Sequence, residues 1–148
     1  MVLHSTLRIT LLTAGLALAV LCQQSALGTA TAPEKAPSAK PGKLYTVVDM
    51  NKVDPDTLIG WKVWRAQSCS RCHGAAQQGL VGPSLINSMK VLTKEQFVTT
   101  LKKGRIEKGM PNFGGVPFVA DHLDELYAYL KGRSEGDIAA GRLTAITK

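Results

Sequence analysis

The chain has 148 residues, 18 basic against 11 acidic side chains, and a formal charge of +7. That length leaves room for one small domain and excludes a multidomain architecture. A basic balance of this size favours acidic partners, among which nucleic acid, anionic membrane and acidic proteins must be separated by other signals.

Residues 1–32 carry the pattern of an export signal. Arg8 is their only charged side chain, Ile9–Leu21 is a 13-residue, largely apolar run, and Ser25–Ala32 is rich in small residues. Three alternative cuts between residues 28 and 32 satisfy the small-residue rule. A spanning helix needs about 20 apolar residues, and this run is interrupted by Thr10, Thr13 and Gly15. No stable membrane span is therefore expected. Bulky Leu21 before Cys22 argues against a lipoprotein site. Removing the signal leaves 116 residues at +6. A periplasmic location makes nucleic acid a poor partner and an acidic protein a good one.

Residues 33–43 hold three prolines, small residues and charge without apolar periodicity, which predicts a flexible linker. The folded domain is expected over 44–133, followed by a tail over 134–148.

Three helices are predicted. The first starts at the N-cap Asp54 with Pro55 at its first position, and Leu58, Trp61 and Trp64 follow at helical spacing. The second opens with a capping box, Thr93 and Gln96, flanked by Leu92 and Phe97 as a staple, and ends at Gly104. The third opens at Asp121, repeats Leu123, Leu126, Tyr127 and Leu130, and is expected to stop at Gly132. No alternating strand pattern is present, so the fold class is all-α. Three short helices and long loops make a thin core, which calls for a staple, a metal or a large apolar cofactor.

Cys69-Ser70-Arg71-Cys72-His73 is Cys-x-x-Cys-His, the haem attachment pattern. Two thiols three positions apart in a helical turn reach two porphyrin vinyl groups, and the next imidazole falls beneath the iron. A zinc site would need two further ligands, and beyond the signal only His122 is left to join His73. A dithiol redox pair would sit beside a βαβ pattern, which is missing. For the opposite axial position the candidates are Met50, Met89, Met110 and His122. Met110 is favoured because Gly104–Pro117, with four glycines and two prolines, forms a loop able to present a thioether. Met50 and Met89 read as packing residues and His122 as a surface residue.

From about Leu44 to Arg133 the chain resembles the class I c-type cytochromes. The shared pattern is a helix, Cys-x-x-Cys-His, the Gly82-Pro83-Ser84-Leu85 loop, a middle helix, the Gly109-Met110-Pro111-Asn112-Phe113 loop and a terminal helix. The resemblance implies a small cytochrome c fold around one covalent haem c, with His73 and Met110 as axial ligands. It further implies that the Pro83 carbonyl accepts a hydrogen bond from His73, that Gly60 admits Tyr127 of the last helix, and that Trp64 packs beside the haem.

Gly60-Trp61-Lys62-Val63-Trp64, Val81–Ser88 and Tyr129–Ser134, with the tail to Gly141-Arg142, are similar to cytochromes that accept electrons from quinoprotein (PQQ) alcohol or methanol dehydrogenases. What this implies is a monomeric, non-enzymatic one-electron carrier. It would take electrons from such a dehydrogenase and deliver them to an oxidase or another cytochrome. The alternative of a different class is a haem enzyme or gas-binding module with an open sixth position. Six basic residues between Lys90 and Lys108, against Glu95 and Glu107, offer either a docking rim or a solvated face.

Overall fold

The computed structural model describes residues 43–147. The signal (1–32), nearly all of the linker and Lys148 lie outside the described residues. Six α-helical segments follow in order: α1 (Pro55–Ala66), α2 (Ser70–His73), α3 (Leu85–Val91), α4 (Lys94–Lys103), α5 (Pro117–Ala120) and α6 (Leu123–Glu135). The three predicted helices are α1, α4 and α6. The fold is mainly helical, as expected.

Local signals set the ends of α1 and α4. Asp54 Oδ1 accepts from Thr57 N (2.8 Å), and its other oxygen accepts from Thr57 Oγ1 (2.8 Å) and Thr46 N (2.6 Å). The cap thus also ties down the incoming chain. Thr93 and Gln96 form the reciprocal capping box, at 3.0 and 3.2 Å, and Gly104 ends α4 with φ of 71°.

Helix α3 was not anticipated. It runs for seven residues, with Ser84 as N-cap accepting from Asn87 N (3.3 Å) and Met89 fully buried. The third predicted helix also differs at both ends. Pro117 begins a separate turn, α5, which closes at Asp121, so α6 starts two residues later. Gly132 does not stop α6, which continues to Gly136 in left-handed backbone (φ 83°). Gly132 serves packing instead. A Cβ there would lie 2.5 Å from Ile138 Cδ1 and 3.2 Å from the Tyr45 ring.

The chain after Arg133 folds back onto this surface. Ile138 and Leu143 are buried in the core, and Trp61 Nε1 donates to Gly141 O (2.9 Å). The Tyr45 hydroxyl donates into the carboxylates of Glu135 and Asp137, 2.7 Å from the latter. Burial and these two neighbours hold the phenol well above its ordinary range. Three two-residue strands also appear, contrary to the expectation of none: β1 (Val47–Val48) pairs antiparallel with β2 (Lys52–Val53), which pairs parallel with β3 (Thr144–Ala145). Two residues cannot display an alternating pattern, so no sequence signal marks them.

The core sits where α1 crosses α6. A Cβ on Gly60 would stand 2.0 Å from Glu125 O and 2.9 Å from Leu126 N. Backbone meets backbone there, since the atoms nearest such a Cβ belong to the main chain of Glu125 and Leu126. Tyr127 packs on Phe97 of α4, ring centroids 5.3 Å apart. Neither backbone can yield without parting the helices, so Gly60→Ala should lower unfolding free energy by about 2–4 kcal/mol. Gly132→Ala meets the flexible end of Ile138 and should cost about 1 kcal/mol. Denaturant midpoints of the two variants test this order, and a Gly60→Ala protein as stable as the parent would refute the close crossing.

Candidate haem site

The sequence places two cysteines and a histidine on one turn by ending α1 sharply. Ser68 adopts left-handed backbone (φ 52°) after α1, and Cys69 then caps α2. Cys72 N and His73 N both bond to Cys69 O, at 3.2 and 3.0 Å. Both thiols are free, Cys69 partly buried and Cys72 exposed. Burial, with a smaller push from Cys72, raises the Cys69 thiol to about 11. Dithiol oxidoreductases need the opposite, a depressed thiol. Among the described residues no three His, Cys, Asp or Glu side chains are grouped to hold a metal ion.

The 74–84 loop returns to the same turn. Gly79 N bonds to His73 O and Gly82 N to Cys72 O, both at 2.8 Å. Pro83 O then lies 2.8 Å from His73 Nδ1. A carbonyl can only accept, so Nδ1 carries the proton and Nε2 keeps its lone pair for a metal. Gly82 is required at this approach, since a Cβ would come within 2.9 Å of the His73 ring. Trp64, buried on α1, stands behind the imidazole with ring centroids 6.5 Å apart.

Met110 enters from a different part of the chain. Gly104 packs against the backbone of Met110 and Asn112. Arg105 and Met110 pair through two backbone bonds (2.9 and 3.1 Å) around a 3-10 turn, Ile106–Lys108. Phe113 N bonds to Leu101 O (2.8 Å), which ties the loop to α4. Met110 is half-buried against the core, whereas Met50 is exposed and Met89 fully buried. His122 is half-buried, edge-on to Phe118, with Nδ1 lacking a hydrogen-bond partner among the described residues.

Cys69, Leu85, Val98, Met110 and Phe113 are only partly covered by protein although they pack on the core. A large apolar group bonded to the two thiols fits such a surface, as it would cover side chains that the polypeptide leaves open. Residues 55–130, just over half of the chain, match the family model described as cytochrome c oxidase, cbb3-type, subunit III. The chain is a c-type cytochrome.

Its relatives agree. The cytochrome is 45% identical over 92 residues to cytochrome c-555 of Methylococcus capsulatus, covering 62% of this chain and 73% of that protein. It is 30% identical over 105 residues to cytochrome c-553I of Paracoccus denitrificans, covering 66% of this chain but only 46% of that longer protein. The crystal structure of c-type cytochrome XoxG from Methylobacterium extorquens AM1 superposes with a TM-score of 0.62 at 30% identity, over 77% of this chain and 80% of that one. The cytochrome thus carries covalently attached haem c and works as an electron carrier.

Sequence reasoning proposed Cys69, Cys72, His73, Pro83, Trp64 and Met110 as site residues, of which the structure brings Cys69, Cys72, His73, Pro83 and Trp64 around one turn. It missed Gln77, a fully buried loop residue whose side chain bonds to Tyr129 (2.9 Å) and Arg133 (2.7 Å). Tyr129 and Arg133 stand one turn apart on α6, the only sequence hint of a polar partner there. Gly82→Ala should push the imidazole off Pro83 O, speed exchange of the His73 Nδ1 proton and lower stability by about 1–2 kcal/mol. Nuclear magnetic resonance of that proton checks it, and an unshifted, equally protected signal would contradict the close approach.

Proposed function

We propose that the protein is a periplasmic carrier whose haem is bound through Cys69 and Cys72, with His73 and Met110 as axial ligands to iron. Its donor in this reading is a quinoprotein (PQQ) alcohol or methanol dehydrogenase, and its acceptor an oxidase or another cytochrome. The observation that carries the ligand assignment is the Pro83 O to His73 Nδ1 distance of 2.8 Å, beside the two thiols of α2.

Bound haem supplies a one-electron ferric/ferrous couple. The protein's part is to hold it and set its bias. The His73 Nδ1 proton, donated to Pro83 O, fixes the tautomer and raises the basicity of Nε2. A Met110 thioether, were it to hold the iron, would favour the ferrous form. Were His73 and Met110 both to hold it, oxygen and peroxide would find no open site. Trp64 packs against the proximal imidazole and resists its tilting.

The donor class is supported by the likeness of Gly60–Trp64, Val81–Ser88 and Tyr129–Ser134 to dehydrogenase-linked cytochromes. Charge placement adds to this. Lys94 pairs with Asp124 (2.7 Å), while Lys90, Lys102, Lys103, Arg105 and Lys108 are exposed on α3, the end of α4 and the Met110 loop. None of these five forms an ion pair among the described residues, and those at the end of α4 and on the Met110 loop would steer an acidic partner toward that loop. The export reading rests on the signal pattern, and no described helix is long and apolar enough to cross a membrane.

Met110→Ala should abolish the weak far-red sulfur-to-iron band, lower the reduction potential and admit carbon monoxide to the reduced protein. An unchanged spectrum would refute the ligand. Reduction by a purified quinoprotein dehydrogenase should slow as ionic strength rises, and Lys102→Glu/Lys103→Glu should slow it about tenfold at low salt. Failure of reduction by any quinoprotein dehydrogenase would remove the donor assignment.

A further inference from the structure

The loop between Gly74 and Ser84 carries the Pro83 carbonyl, so whatever fixes this loop fixes the acceptor of the His73 proton. Its backbone bonds reach His73 O from Gly79 N and Cys72 O from Gly82 N, and close short turns from Gln77 N to Gly74 O and from Leu80 N to Gly82 O. Buried side-chain bonds add a second set of ties, centred on Gln77. Gln77 is 1% exposed and sits in left-handed backbone (φ 60°). Its Nε2 donates to the Tyr129 hydroxyl (2.9 Å), and its Oε1 accepts from Arg133 Nε (2.7 Å). Its backbone oxygen accepts from Leu85 N (2.9 Å) and Ile86 N (3.3 Å), which seats the first turn of α3 immediately after Pro83.

Arg133 completes the clasp. Its guanidinium also donates to Ala76 O (3.1 Å) and to Ile138 O, so one planar fork joins the loop, α6 and the returning C-terminal segment. These acceptors are all neutral. A lysine in its place keeps the charge but cannot span three acceptors lying in different directions. Buried polar groups need partners, and both Nε2 and Oε1 of Gln77 have one.

We propose that Gln77 and Arg133 are positioning residues for the redox centre. They clamp the 74–84 loop so that Pro83 O stays on His73 Nδ1, and thereby set the basicity of the imidazole and the haem potential. This rests on the reading of His73 as an axial ligand. A firmly bonded imidazole N–H makes the opposite nitrogen a stronger donor, which favours ferric iron. Loosening the clamp therefore raises the potential.

The test uses the haem-loaded protein. Gln77→Asn tolerates left-handed backbone but is one methylene too short to reach both partners. Arg133→Lys keeps the charge and loses the fork. Both should raise the reduction potential, and both should speed amide exchange at Leu85 and Ile86 roughly tenfold. Ser134→Ala, which removes a neutral bond from the same helix to Ile86 O (2.8 Å), should leave the potential where it was. Should Gln77→Asn fail to fold, Arg133→Lys carries the same comparison. Unmoved potentials in the clamp variants, even with stability reduced, would overturn the proposal, as would an equal shift in Ser134→Ala. His73→Ala separates the two layers. A low-spin spectrum that survives it overturns the ligand reading, whereas a lost spectrum with unmoved clamp potentials overturns the clamp alone.

Discussion

Contact between two helix backbones at Gly60 sets the spacing on which the rest of this small domain is built. With no side chain at that point, α1 comes close enough for Glu125 and Leu126 to lie directly against it. The next turn of the two helices then contributes a matched pair. Four residues on from Gly60 and Glu125, Trp64 meets Tyr129, ring centroids 6.5 Å apart. Another turn along α6, Arg133 reaches the loop that follows the haem motif. Residues four apart share a helix face, so one crossing aligns structural and functional groups in a single row.

Along this row the interactions change from apolar to polar. At Gly60 the gain is burial of the surrounding core side chains, whereas at Tyr129 and Arg133 it is the matching of buried donors and acceptors. Burial pushes the Tyr129 phenol up to about 12, with Arg133 and Gln77 acting in the other direction. The hydroxyl therefore stays protonated at neutral pH. A polar group buried here without partners would be costly, and a matched one is selective about geometry. The site's loops are consequently held by direction-specific bonds rather than by bulk packing. That suits an electron carrier, in which ligand positions should change little between oxidation states.

The sequence was informative where a structure is decided within one turn. Asp54 with Pro55, Thr93 with Gln96, and the Cys-x-x-Cys-His run all act through groups three or four residues apart, and all three were legible. Gly132 and Gly136 show the opposite case. Either glycine can end a helix, and only the docking of Ile138 and Tyr45 on Gly132 makes the second one the stop. The buried segment after Arg133 was read as a tail for the same reason, because Ile138 and Leu143 stand in a Gly- and Ala-rich stretch without periodicity. Helix α3 lacks a capping box and spans two turns. Nothing local marks Gln77 as buried, since its partners lie more than 50 positions away. The resemblance to class I cytochromes supplied Pro83, whose role no local pattern announces, and it marked Gly60 as a point of close approach to α6, where the nearest atoms are main chain.

Uncovered apolar side chains, two free thiols on one turn and an imidazole already oriented by Pro83 make sense together only if porphyrin joins them. The most direct measurement is the intact mass of the native protein, followed by mapping of the peptide that spans residues 69–73. The account predicts one haem per chain, on that peptide, with neither thiol open to alkylation. A mass equal to polypeptide alone, or haem removed by simple extraction with both thiols then alkylatable, would contradict it.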